Sequence, residues 1–324
     1  MKSASACLPT CPISTSRPEM KHIRIEHQTH YTYQSDVLLA HHLAYLRPLS
    51  TPWQKRLSST LQISPDVDSR HEQTDAFGNT RTFFTLIRSH RELSVIATSD
   101  MKKVPRYQGF DPSQTPSWDE LQASMTYSLD QAYIPASEYV WPSPYVPWLS
   151  ELRDYALVSF KRGVPLAQAC LDLNHRIYEE FNYVAGATEI HTPLAQAFVN
   201  RHGVCQDFSH IMIGCLRSIG LAARYVSGYL LTTPPEGQPR LRGADASHAW
   251  VSVYCPGAPG QWLELDPTND TIADMSHVCL AVGRDFGDVS PLRGIIRGGG
   301  SHQLRIAVTA EEVGEYGAVL SSEP

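Results

Sequence analysis

The chain has 324 residues, of which 42% are apolar and 19% charged, and a formal net charge of -6. That mix belongs to a folded globular protein, not a disordered one, and the length suits about two domains. Scattered Lys and Arg exclude a basic nucleic-acid footprint, and no apolar run reaches the roughly 18–20 residues that cross a bilayer.

Residues 1–19 are rich in Ser, Pro and Cys, with no long apolar core, so they do not read as a secretory signal. They read as a flexible tail or as a stretch ahead of a start at Met20. The seven cysteines, Cys7, Cys11, Cys170, Cys205, Cys215, Cys255 and Cys279, are odd in number and irregular in spacing. With no export signal this points to a reduced, cytoplasmic protein without a disulfide framework. No CxxC pair is present, and Cys7 and Cys11 are weak evidence for a metal.

Residues 20–104 read as an N-terminal β domain. Ile23 to His27 alternates apolar and polar, as a half-buried strand does, and His30 to Tyr33 continues in β-prone residues. Asp75-Ala76-Phe77-Gly78-Asn79 is a turn signal leading into the strand pattern Thr80–Ile87. Glu92–Thr98 gives another strand, so a sandwich-like β domain is expected. His22, His27, His30, His41 and His42 match no zinc spacing and read as strand or surface histidines.

Residues 105–148 form a connection rich in proline and aromatics, with one short helix near Trp118–Met125. An α+β unit is expected over 149–310, followed by a tail at 311–324. Its first part is helical to about 183, broken at Gly163-Val164-Pro165. Leu166, Ala169, Cys170, Leu173 and Ile177 make a core-facing stripe. A second helix starts at Cys205, carries Phe208, Ile211, Met212, Cys215, Leu216 and Ile219, and stops at Gly220. Strand patterns follow at Arg224–Leu231, His248–Tyr254 and Gln261–Leu265, giving an antiparallel sheet. A last strand pair, His277–Val282 and Gln303–Val308, is expected to flank a glycine-rich loop. Gly298-Gly299-Gly300 in that loop is not placed as a phosphate cradle.

Cys205 stands at the first turn of its helix, after Gly203-Val204. Free N–H groups and the helix dipole favour the thiolate there, and the same N–H groups can hold an oxyanion. His248 opens one strand and Asp266 closes the next. A hairpin-like connection through Pro256-Gly257 and Pro259-Gly260 would bring the two side by side. A carboxylate on one imidazole nitrogen then fixes the tautomer that accepts a proton on the other. Asp207 and His210 either tune the thiol or serve the helix, Asp207 at its N-terminus and His210 as a polar residue; the sequence balances these evenly. Arg284, Asp285 and Asp288 read as solvated loop charges rather than a cleft rim.

Gly203-Val204-Cys205-Gln206-Asp207-Phe208, Ala246-Ser247-His248-Ala249-Trp250 and Asp266-Pro267-Thr268 resemble the three catalytic blocks of the transglutaminase-like superfamily. The likeness is to its bacterial branch of predicted cysteine proteases, and it extends over nearly the whole chain from Met20. It implies a papain-like α+β catalytic domain, with Cys205 as nucleophile, His248 as base and then acid, and Asp266 as the orienting group. It also implies a peptide or protein amide substrate, opened through a thioester, with hydrolysis favoured over transfer to an amine. Tyr183 is the candidate side chain beside the Cys205 N–H for the oxyanion. The calcium dependence of the crosslinking members is not expected here, since no EF-hand-like loop is present; no metal or cofactor is implied. A non-catalytic scaffold on the same fold is the competing reading, and the intact Cys–His–Asp set argues against it.

Overall fold

The computed structural model describes residues 20–126, 132–232 and 247–314. The expectations for residues 1–19, including Cys7 and Cys11, lie outside these.

The N-terminal region contains β1 (Lys21–Ala44), β2 (Gln54–Ser64), β3 (Ser69–Thr74), β4 (Thr80–Leu86) and β5 (His90–Lys103). The alternation read at Ile23–His27 carries on through β1: Ile23, Ile25, His27 and Thr29 are buried and the residues between them are not. The turn at 75–79 is where it was expected. Asp75 donates its N–H to the Asn79 carbonyl at 3.0 Å, Gly78 takes φ +85°, and β3 and β4 pair as a hairpin.

The central region carries α1 (Trp118–Met125), α2 (Ser150–Ser159), α3 (Leu166–Glu180), β6 (Asn182–Tyr183), α4 (Leu194–Asn200), β7 (His202–Gly203) and α5 (Cys205–Ser218). Then follow β8 (Ala223–Leu230), β9 (Ser247–Tyr254), β10 (Trp262–Asp266), β11 (Thr271–Ile272), β12 (His277–Gly283), α6 (Phe286–Val289), β13 (Leu292–Gly298) and β14 (His302–Glu312). The helical break after α2 falls at the predicted Gly163-Val164-Pro165, and α1 matches the short helix expected in the connection. The stripes of α3 and α5 are buried as their spacing requires. Leu166, Cys170 and Ile177, with Ile211, Cys215 and Leu216, are all fully enclosed.

Two sheets organise the molecule. The sheet that carries His248 and Asp266, here named the catalytic sheet after the role expected of them, is antiparallel in the order β11-β10-β9-β8-β12, with α5 laid against β8 and β9. The N-terminal sheet runs β2-β5-β1-β4-β3, and β13 and β14 also pair with β1. Near Thr32–Val37 the register of β1 against β5 shifts. Before it β1 pairs with β5 and β14, and after it mainly with β4 and β13. One long strand serving two sets of partners makes the sheet curl.

This corrects the expectation of a final strand pair. His277–Val282 lies in β12 beside β8, whereas Gln303–Val308 lies in β14 beside β1, in the other sheet. The missing element was β13, followed by a turn in which Gly298, Gly299 and Gly300 all take positive φ, a conformation that side chains resist. Val308 and Ala310 are buried opposite His27 and Ile25. The stretch 149–310 therefore contains two strands of the N-terminal sheet, and β14 runs into the expected tail.

The two sheets share a core. Tyr229, Val278 and Leu280 of the catalytic sheet pack with Ile23, Val95, Met101 and Val308 of the N-terminal one. The outer edge of β12 would otherwise present unpaired backbone groups. Instead Gln54 donates to the Cys279 carbonyl at 2.7 Å and accepts the Cys279 N–H at 2.9 Å. Asn79 does the same for Val282, at 2.7 and 2.8 Å.

Candidate active site

Cys205 is the first residue of α5, after an extended Val204. The local sequence explains the placement. Asp207 folds back so that Oδ2 accepts the Val204 N–H at 2.9 Å and the Thr188 hydroxyl at 2.6 Å. A Cβ on residue 203 would stand 2.6 Å from that oxygen and 2.8 Å from the Asp207 Cβ, so Gly203 is a steric requirement. Of the two readings weighed for Asp207, its contacts fit service to the helix start.

His210 also belongs to the packing. It is buried, its Nε2 accepts the Phe286 N–H at 3.2 Å, and its ring stacks against Tyr145 and lies 5.0 Å from Tyr225. Burial, and next the charge of Arg217, lower its pKa to about 3. A neutral ring committed to Phe286 fits the role of holding the α6 turn, not of tuning the thiol. Asp285, expected to be solvated, is buried at that turn and accepts the N–H groups of Tyr145 and Gly287, each at 2.9 Å. Arg284 and Asp288 pair with each other at 2.8 Å.

The hairpin from β9 to β10 brings His248 and Asp266 together as its register predicts. His248 Nε2 lies 2.7 Å from Asp266 Oδ2, which leaves Nδ1 as the ring nitrogen available to Cys205 in the same cleft. Burial opposes the charged imidazole. The hydrogen bonds to Asp266 and Cys205, with their negative charges, overcome it and raise the pKa to about 10. Asp266 is fully buried, and burial alone would raise its pKa. Hydrogen bonds from His248 and His277 outweigh it and hold the carboxyl well below the usual range.

Two partners of Asp266 were not anticipated. His277 Nε2 reaches the same Oδ2 at 3.0 Å, and Asn269 Nδ2 reaches it at 2.7 Å. The Thr268 N–H donates to Oδ1 at 2.9 Å. Asn269 follows Asp266-Pro267-Thr268, a turn sequence that could have suggested it. His277 carried one available signal: it is the polar start of the otherwise apolar run Val278–Val282. The donor atoms of His248, Asp266 and His277 lie within 4.8 Å of one another. Both imidazoles sit at hydrogen-bonding distance from one carboxylate oxygen, so the trio is accounted for by proton sharing. A zinc ligand would need its nitrogen unprotonated.

Cys205 and His248 open into a cleft of about 420 Å³, which Tyr178, Tyr183, Leu230 and Asn269 help to line. Among the described lining residues none is Asp, Glu, Lys or Arg. Tyr183 lies on β6, paired with Gly203 on β7 and 55% exposed. Partial burial, and then the negative charge of Cys205, raise its pKa, so the phenol stays protonated as a donor at the cleft.

Comparison with known proteins places the fold in a family. Residues 23–102 match the model of the bacterial transglutaminase-like N-terminal region, and residues 161–267 match that of the transglutaminase-like superfamily. An uncharacterised protein of Mycobacterium tuberculosis is 38% identical over 275 residues, 84% of this chain and 87% of its own. One of Mycobacterium leprae is 30% identical over 297 residues, 89% and 98% of the two chains. The crystal structure of a protein called a putative cysteine protease, from Cytophaga hutchinsonii, shares the fold at TM-score 0.70. Its identity is 19%, and the match covers 91% of this chain and 92% of that one. The chain belongs to the transglutaminase-like superfamily, a family of cysteine-dependent enzymes, in the group with a bacterial transglutaminase-like N-terminal region.

Proposed function

We propose that the protein is a cysteine-nucleophile acyl-transfer enzyme that opens amide or peptide bonds, with water as the favoured acceptor. The observation that carries this reading is one imidazole joining a thiol at a helix N-terminus to a buried carboxylate. In this reading the Cys205 thiolate attacks the substrate carbonyl. Charge then develops on the carbonyl oxygen, and the N–H of Cys205, which has no partner within its own helix, is placed to receive it. Tyr183 would add a hydroxyl. His248, cationic at neutral pH, gives its proton to the leaving nitrogen as the C–N bond breaks, leaving a thioester on Cys205. The neutral imidazole then takes a proton from water, the new oxygen attacks the thioester, and the thiolate departs. Asp266 keeps Nε2 protonated throughout and stabilises the imidazolium.

A hydrolase needs water at the thioester, and the partly exposed Cys205 in an open cleft favours that outcome. The test is a mixed peptide library treated with wild type or Cys205→Ala, with and without a primary amine, and read by mass spectrometry. Cleaved or deamidated peptides from wild type alone are expected. Amine-bearing products would reassign it as a transglutaminase. Identical libraries from the two proteins would overturn the enzymatic reading in favour of a scaffold.

A further inference from the structure

Asp266 holds two imidazoles on one oxygen, and only His248 takes part in the proposed reaction. His277 is 2% exposed. Its Nε2 lies 3.0 Å from Asp266 Oδ2, and its Nδ1 lies 3.1 Å from the Ser276 hydroxyl. Trp250 packs edge-on at 5.2 Å. The ring therefore has both nitrogens committed and no room to turn.

The backbone under this ring is gripped from the other sheet. Lys103, at the end of β5, donates its ammonium to the carbonyls of His277 and of Asp274, the latter at 2.8 Å. Gln54 of β2 takes both backbone groups of Cys279, two residues on. The N-terminal sheet thus fixes the strand whose first side chain meets the carboxylate. From this geometry we infer that His277 is a positioning residue for the Cys205–His248–Asp266 set, and that the N-terminal domain holds it there through β12. This inference rests on the proposed function and assigns the N-terminal domain a part in it.

The physical role follows from the hydrogen-bond count. The Thr268 N–H holds Oδ1 and Asn269 Nδ2 holds Oδ2, so the carboxylate is already oriented from its own turn. His277 adds a further donor, from the far edge of the sheet, to the oxygen that faces His248, and so spreads its negative charge and weakens its pull on the His248 proton. The groups facing this cluster are Cys205, Tyr183 and Tyr225 on the thiol side, and Lys103 behind His277, with Asp274 and Glu264 beyond it.

The test reads Cys205 directly: its rate of alkylation by iodoacetamide from pH 4 to 10, by peptide mass spectrometry, in wild type, H277F, H277Q and K103M. Removing the donor in H277F should raise the rate on the acid limb, near pH 4–5, about tenfold. It should also move the profile to lower pH, because a carboxylate relieved of one donor holds the His248 proton more tightly. H277Q, whose amide can still donate, should keep the wild-type profile and lie within about threefold of its rate. K103M, which never touches the ring, should fall between. A packing role alone would lower thermal stability in all three and leave the profile where it was, and that outcome overturns the inference. If H277F does not fold, a wild-type profile in K103M overturns it alone. Slow, unselective labelling of Cys205 in wild type would instead strike at the proposed function.

Discussion

The two sheets bury imidazoles to a similar degree and treat them in opposite ways. In the N-terminal sheet His27 is 1% exposed and His42 is 4% exposed, and neither has a carboxylate partner. Burial lowers both to about 4, aided at His42 by the charges of His90 and His41. In the catalytic sheet His248 is also mostly enclosed, yet it rises to about 10 because Asp266 and Cys205 stand against it. Burial sets the penalty for charge, and the partner decides whether the charge survives. The first environment makes histidine a structural ring, and the second suits the proton carrier proposed at His248.

The largest effect should come from erasing the difference. Asp266→Asn removes the charge that holds the His248 proton and should lower kcat by about 10³–10⁴-fold. Its alkaline limb should move from near pH 10 toward the acid side, as read by a pH–rate profile on a substrate from the library. An unchanged limb would mean that Asp266 does not set the His248 pKa.

A second break targets a buried charge that keeps its partner. Arg106 is 7% exposed, pairs with Glu264 at 2.7 Å, and stacks on Trp53 at 4.0 Å. Glu264 in turn accepts the Trp250 indole N–H at 2.9 Å. Arg106→Ala strands the carboxylate and should cost about 3–5 kcal/mol in urea unfolding. Loss of less than about 1 kcal/mol would show that water reaches Glu264 readily.

The two histidines without a carboxylate partner should show themselves in acid. Between an unfolded pKa of about 6.5 and a folded value of about 4, only the unfolded chain binds the proton. Stability is therefore full above about pH 6.5 and falls as the pH drops toward 4, by on the order of 3 kcal/mol per histidine. Urea unfolding at pH 7 and pH 4.5 measures the slope, and His42→Leu should flatten it. An equal slope in that variant would place the acid sensitivity elsewhere.

The smallest expected effect concerns the contact between the sheets. Gln54→Leu leaves the Cys279 N–H and carbonyl without their amide partner and should cost about 1–3 kcal/mol. Hydrogen exchange should rise at β12 and not in α5. Uniform exchange across both would mean that the amide grip is not local.

Much of this was legible in the sequence because it depends on short-range pattern. The α3 and α5 stripes, the Asp75–Asn79 turn and the β9–β10 hairpin each sit within one stretch of chain. The hairpin alone was enough to bring His248 to Asp266. What was hidden depends on contacts far apart in sequence. β13 and β14 return to β1 from more than 200 residues away, and no local periodicity says which sheet a strand joins. His277 reaches Asp266 from the other edge of the catalytic sheet, past β8 and β9. Gln54 and Asn79 stand in for a strand with side-chain amides, which leaves no period at all. Asp285 was misread because a charged residue in a short loop gives no sign that two backbone N–H groups will enclose it.

The central claim is that Cys205 accepts an acyl group because His248 and Asp266 prepare it. The most direct measurement is acylation by p-nitrophenyl acetate, with the adduct located by peptide mapping in wild type, Cys205→Ala, His248→Ala and Asp266→Asn. The account predicts an acetyl thioester on Cys205 in wild type, none in Cys205→Ala, and formation at least about a hundredfold slower in the other two variants. An adduct spread over several cysteines, or formed at the same rate without His248, would contradict it.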